Sequence, residues 1–163
     1  RAHTVAEQLP RLMSKHGVDV WLIVQKEYAE DTVFRVLAPT RFAARRRTFW
    51  LFLRRGADEL EERQFVGMFD ETFGDVAAAI EAFDPQRAAR VALNVDGEHA
   101  FADGLHAGQR DKLYALLGDT LAKRTVVHAP LLAVDLVATR AARGQLDAYR
   151  SLMETAWAII REA

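Results

Sequence analysis

Seven residues constrain the fold of this chain more than any others. Val18-Asp-Val-Trp-Leu-Ile-Val24 is almost wholly apolar and rich in β-branched side chains. β-Branched residues are stiff about χ1 and suit a pleated surface. A strand with one wet face would alternate apolar and polar residues. A near-continuous apolar run instead reads as a strand covered on both faces, as in α/β sheets.

Four more segments read as strands. Thr48-Phe-Trp-Leu-Phe-Leu53 and Gln64-Phe-Val-Gly-Met-Phe69 flank the charged stretch Arg54 to Arg63, which contains Gly56. This pattern predicts an antiparallel hairpin with Asp58, Glu59, Glu61 and Glu62 in its solvated turn. Val91-Ala-Leu-Asn-Val95 and Thr125-Val-Val-His128 are the fourth and fifth strands. Gln25 to Arg47, between the first two strands, has no regular pattern. Loops of that length are functional or fastened down by neighbours.

Helical spacing fills most of the rest. Thr4 to Glu7 has capping-box spacing and opens a helix with Val5, Leu9, Leu12, Met13 and His16 on one face, stopped by Gly17. Pro10 lacks an N–H, so the helix is expected to kink there or to become regular from that point. Thr72 to Asp75 repeats the capping spacing ahead of Phe73, Val76, Ala77, Ile80 and Phe83. Asp103-Gly104 marks a turn. Leu113, Tyr114, Leu116 and Leu117 then lie on a helix expected to close at Gly118, and Pro130 starts a helix toward Thr139.

The last segment is apolar at helical spacing through Leu146, Tyr149, Leu152, Met153, Ala156, Ile159 and Ile160. No glycine or proline stops it. It reads as a helix that continues into something else.

Composition excludes several functions. The 163 residues are 50% hydrophobic, 28% charged and of net charge -1, which suits one soluble compact domain. That charge argues against general affinity for nucleic acid backbones or anionic membranes. With no cysteine there are no disulfides, thiolate nucleophiles or zinc–thiolate sites, and the composition suits a reducing cytoplasm. No apolar run reaches the ~20 residues of a membrane helix.

Catalytic motifs are missing. Ser14 and Ser151 fall within expected helices, outside any nucleophile elbow. There is no glycine-rich phosphate loop and no zincin motif. His99, Asp103 and His106 would share a face if their stretch were helical, but Asp103-Gly104 breaks it, so a loop of capping and solvated side chains is expected rather than a metal site. Arg41, Arg45, Arg46 and Arg47 close the long loop. Their guanidinium forks suit a phosphate or carboxylate, and the competing reading is a charged start of a strand or an inter-domain contact. Trp21, Phe49, Trp50 and Phe52 read as core rather than as a stacking platform for bases.

In order, these segments resemble the creatinase/prolidase N-terminal domain. The match runs through Gly17-Val-Asp-Val-Trp-Leu-Ile-Val24, Arg45-Arg-Arg-Thr-Phe-Trp-Leu-Phe52, and Phe101-Ala-Asp-Gly-Leu105 with the helix ending Ala115-Leu-Leu-Gly118. It continues through Leu132 to Arg140 and the following helix. Where the family has an Arg soon followed by an acidic residue, Arg143-Gly-Gln-Leu-Asp147 is a looser match.

The resemblance implies a three-layer α/β/α domain on a mixed sheet of RNase H-like topology. Residues 1–143 would form that domain, and 144–163 a helix leading into a catalytic domain absent from this chain. The parent would be an Xaa-Pro aminopeptidase or prolidase-like hydrolase using two divalent metals (Mn, Co or Zn) to activate water. The family's two Asp, one His and two Glu ligands lie in the catalytic domain, so neither a metal nor a catalytic residue is assigned to this chain. Implied partners are its own catalytic domain, further copies in a homo-oligomer, and a peptide substrate reached through the parent. Arg41, Arg45, Arg46 and Arg47 would border the substrate site. The alternatives are a peptide- or protein-binding module of an inactive relative, and a domain of a creatinase-type amidinohydrolase. A nuclease-like enzyme would need clustered carboxylates on central strands, where only Asp19 and Asp96 are available.

Overall fold

The computed structural model describes residues 2–38, 43–67, 71–139 and 145–162. It is a mixed α/β structure built on a five-stranded sheet. In chain order the elements are α1 (Ala2–Lys15), β1 (Val20–Lys26), α2 (Thr32–Leu37), β2 (Arg47–Arg54), β3 (Leu60–Gly67), α3 (Glu71–Phe83), β4 (Arg90–Leu93), α4 (Ala107–Ala122), β5 (Thr125–His128), α5 (Pro130–Thr139) and α6 (Gln145–Glu162). A 3-10 turn, Ala100–Ala102, precedes α4.

The strand order is β3-β2-β1-β4-β5. β2 runs antiparallel to β1 and β3, whereas β4 is parallel to both β1 and β5. β1 is central, and six of its seven residues are buried. Trp21 and Ile23 face one apolar cluster with Trp50, Phe52 and Ala92, covered by Leu9 and Met13 of α1, Phe34 of α2 and Leu132 and Leu136 of α5. Val20, Leu22 and Val24 face the other with Phe49, Leu51, Val91 and Leu93, covered by Phe73, Val76 and Ile80 of α3 and Leu113, Leu117 and Leu121 of α4. Helices therefore cover both faces of the sheet. Each buried Val, Leu or Ile side chain contributes about 1.5–3 kcal/mol, so this strand is a large share of the core.

Several expectations need correction. α1 is already helical at Ala2, so Thr4 lies inside it rather than capping it, and the helix passes through Pro10. The side chains of Thr4 and Val5 lie outside the described residues. α3 likewise begins at Glu71, one residue ahead of Thr72. A side chain at Gly67 would overlap the Thr72 hydroxyl, so the bare glycine lets α3 start against the end of β3. β3 starts at Leu60, which moves Glu61 and Glu62 from the hairpin turn into the strand, paired with Leu53 and Phe52. Met68 and Phe69, expected at its far end, lie outside the described residues. α4 continues past Gly118 to Ala122 because Leu113, Leu117 and Leu121 keep one face buried for about one more turn. Tyr114 and Leu116, expected on its apolar stripe, are exposed. Within the long Gln25 to Arg47 segment, α2 is a six-residue helix.

One buried ion cluster ties the far ends of α3, α4 and β5 together. Arg124 has a fully buried side chain. Its guanidinium donates to Asp84 Oδ2 (2.9 Å), Glu81 Oε1 (3.1 Å), Glu81 Oε2 (3.2 Å), Thr120 O (2.7 Å) and Asp84 O (2.7 Å). These five bonds match the number of N–H donors a guanidinium carries. Asp84 also accepts from the N–H groups of Ala88 and Ala89, shaping the turn after α3. Burial opposes the charge of Asp84, but these donors prevail and its pKa falls. Hydrogen bonds from Arg124 hold the Glu81 carboxyl down from an ordinary 4.5 to about 2.

Replacing Arg124 by Met leaves two carboxylates without their counter-charge, at an expected cost of about 3–5 kcal/mol in urea denaturation at neutral pH. The depressed Glu81 value stabilises the fold above pH 4.5, and that contribution disappears as pH falls through about 2. The urea midpoint should therefore drop across that window, with a shallower drop in Glu81→Gln.

Candidate functional site

β1 and β4 are parallel neighbours whose chains leave in opposite directions. From β1 the chain passes through α2 to β2, whereas from β4 it passes through α4 to β5. α2 and α4 lie on opposite faces of the sheet. Open α/β sheets bind ligands in the crevice at the carboxyl ends of strands where the connections diverge in this way. Here that crevice holds the sheet's main polar network.

Trp21 Nε1 on β1 donates to Asn94 Oδ1 just beyond β4 (2.7 Å), and Asn94 Nδ2 donates to Asp31 Oδ2 (3.3 Å). Asp31 is the N-cap of α2, its Oδ1 accepting from Phe34 N at 2.6 Å. Its own N–H donates to Gln25 Oε1 (2.8 Å), while Gln25 Nε2 is buried without a partner. Gly104 lies against this carboxylate, where a Cβ would overlap Asp31 Cγ and Oδ2. Leu105 N then donates to Asn94 O (2.9 Å). The Phe101 to Leu105 turn is thus locked between β4 and α2. Burial pushes the Asp31 carboxyl up, against hydrogen bonds from Phe34 N and Asn94 Nδ2 that favour its charge.

Two clefts flank the turn that follows β1. A smaller one of about 180 Å³ is lined by Ala29, Glu30, Asp31, Asp103, Gly104 and His106. A larger one of about 320 Å³ is lined by Lys26, Glu27, Tyr28, Arg46, Arg47 and Gln109.

The larger cleft is built on strained backbone. Tyr28 has φ +65° and Arg46 φ +54°, two of the three non-glycine residues in the left-handed region among those described. Such conformations cost about 1–3 kcal/mol each and persist only where their surroundings hold them. The Lys26–Ala29 turn is closed by Ala29 N donating to Lys26 O (3.0 Å), which leaves the Tyr28 ring 93% exposed. Glu27 N donates to Arg46 O (2.8 Å), and Arg46 N donates to Glu27 Oε2 (3.2 Å). The two strained segments are therefore clamped to each other. Arg47 Nε donates to Gln109 Oε1 (2.6 Å), and its guanidinium lies 4.9 Å from the centre of the Phe73 ring. Arg47 Nη1 is buried and unpartnered.

Of the arginines singled out in the sequence, Arg46 and Arg47 meet in this cleft together with Lys26. Arg45 is exposed, with its N–H donating to Thr48 Oγ1 (3.3 Å). Arg41 lies outside the described residues. Sequence reasoning missed Lys26, Tyr28 and Gln109, which carry no motif. It also missed Asp31, although Asp31-Thr-Val-Phe34 is a legible capping signal.

Of His99, Asp103 and His106, the last two both line the smaller cleft, whereas His99 is not among its lining residues. His99 Nδ1 lies 2.8 Å from Asp96 Oδ2, Asp103 Oδ1 accepts from Asp96 N (3.3 Å), and His106 is the N-cap residue of α4. Among the described residues no group of three or more His, Asp or Glu could hold a metal. Asp19 and Asp96 lie at opposite ends of the sheet, before β1 and after β4, so they form no carboxylate pair. Asp19 is paired with Arg54 and accepts from Arg90 N (2.9 Å). No described helix is long and apolar enough to cross a membrane.

Comparison of the chain with protein-family models, with curated proteins and with solved structures found no match.

Gly104→Ala should cost about 1–3 kcal/mol, since the new methyl must displace the Asp31 carboxylate from its cap and from Asn94. An unchanged urea midpoint would show that Asp31 does not pack on Gly104.

Proposed function

We propose that this chain is the non-catalytic N-terminal domain of a prolidase-like metallohydrolase, serving oligomer assembly and bordering the substrate site. The observation that carries the reading is the sheet. Its order β3-β2-β1-β4-β5, with β2 alone reversed, supports the RNase H-like α/β/α topology that the family resemblance implies. The Phe101 to Leu105 segment, the most specific part of that resemblance, adds support because Gly104 is required by the packing of Asp31.

α6 fits the same reading. Leu152, Trp157, Ile159 and Ile160 are each more than half exposed, and among the described residues only Tyr149 and Ala156 on this helix are partly buried. An apolar helix face of this kind marks an interaction site. The reading assigns it to the junction with the catalytic domain, with residues 1–143 as the N-terminal domain and 144–163 as the leading helix. Two divalent metals, Mn, Co or Zn, would be held there by that domain's own ligands. The residues described here do not fit a metal, and no chemical step is assigned to them. A cysteine-free chain suits the reducing cytoplasm.

The test is made on the whole protein that contains this chain. Xaa-Pro peptides should be hydrolysed on addition of manganese, cobalt or zinc, and a chelator should abolish turnover. Failure with all three metals would sink the metallopeptidase reading. Arg45→Ala combined with Arg47→Ala should lower kcat/KM by about 10- to 100-fold, the loss expected for hydrogen bonds to a charged group. An unchanged kcat/KM would remove these arginines from the substrate site.

A further inference from the structure

Many cations among the described residues are held by carboxylates, whereas three that meet at the larger cleft are not. Arg11, Arg55, Arg63, Arg87 and Arg110 each pair with a carboxylate. Lys26 and Arg46 have no such side-chain partner among the described residues. Arg47 meets an amide oxygen and an aromatic face instead. Among the described residues Glu27 is the one acid lining the cleft, and its Oε2 accepts from the Arg46 backbone rather than from a guanidinium. On a chain of net charge -1, this is a local concentration of positive charge.

Three features distinguish the cleft from an ordinary solvated basic patch. Arg47 is oriented by Phe73 and Gln109, so little rotamer entropy remains to be lost on binding. It carries a buried N–H donor with nothing to bond, and such a group in a native structure calls for an explanation. Two clamped, left-handed residues form the rim, and strain of this kind clusters at ligand sites.

We propose that this cleft is an oxyanion-binding site for the carboxylate or phosphate group of a small ligand. Arg47 supplies a preoriented guanidinium, and Lys26 and Arg46 supply charge at the rim. The exposed Tyr28 ring flanks whatever the anion is attached to. The site goes beyond the assembly role and is complete within this chain, so binding here can succeed or fail independently of peptidase activity.

The experiment titrates the full chain at low ionic strength with inorganic phosphate and, separately, with acetate, followed by ¹H–¹⁵N NMR. Saturable shifts are expected at the amides of Glu27, Tyr28 and Arg46 and at the Arg47 side-chain Nε–H. Saturation by phosphate alone assigns a phosphoryl ligand, and saturation by acetate, with or without phosphate, assigns a carboxylate. Lys26→Gln and Arg46→Gly should each weaken binding about tenfold. Glycine accepts φ +54° freely, so the second variant keeps the fold while removing the charge. Arg11→Gln, at a cation already paired elsewhere, should bind as the unmodified chain does. The proposal is overturned if neither anion saturates, if shifts spread over the surface without marking the cleft, or if the Lys26 and Arg46 variants bind unchanged.

Discussion

β1 pairs with β2 along seven antiparallel register positions and with β4 along three parallel ones, so both of its backbone edges lie inside the sheet. Its side chains fill both apolar clusters. With both edges and both faces covered, a polar residue within β1 would need its own buried partner or would weaken the fold. The two polar residues come at its end, Gln25 buried and Lys26 exposed. Every later feature of the site follows from where this apolar strand stops.

At that point the chain must turn out of the core while its neighbours remain buried. Gln25 and Asn94 carry the transition at the ends of the two parallel strands, and Asp31 bridges them, its N–H donating to Gln25 and its carboxylate accepting from Asn94 while capping α2. Burying a carboxyl is unfavourable, and the upward shift of Asp31 records that cost. The hydrogen bonds offset it only because Gly104 leaves room for the group. The network therefore couples a strand end, a helix cap and a bare glycine, and none of the three is explicable without the other two. The Lys26–Ala29 turn, held in a left-handed conformation at Tyr28, is the other half of the same exit from the sheet.

The fold was legible where a single physical signal dominated. The five strands were readable from apolar runs, and α5 from Pro130. Boundaries shifted where tertiary burial overrode a local cue. Gly118 looks like a stop, yet Leu121 continues the buried face of α4 beyond it. Thr4 and Thr72 have the spacing of caps, yet both helices start ahead of them. The hairpin carboxylates Glu61 and Glu62 look like turn residues because an edge strand with a wet face need not be apolar. Trp50 Nε1 donates to Glu62 Oε1 (2.6 Å), and Glu61 meets Arg55 and Arg63. α2 was hidden because six residues show too little periodicity to separate from a loop.

The arginine run shows why a site is harder to read than a fold. Arg45, Arg46 and Arg47 are chemically identical neighbours, and the structure gives each a different fate. Arg45 is exposed ahead of the strand. Arg46 is left-handed and backbone-clamped to Glu27. Arg47 is the first residue of β2, where alternation turns its side chain toward Phe73 and α4, on the same face as Phe49. The period of two along β2 predicts that direction once the strand's first residue is known. The partners it meets there, Phe73 and Gln109, lie 26 and 62 positions further along the chain, on α3 and α4. Sequence spacing reports what a residue is, and a cleft depends on what the topology brings opposite it. The arginine cluster was therefore visible as charge long before it could be recognised as geometry.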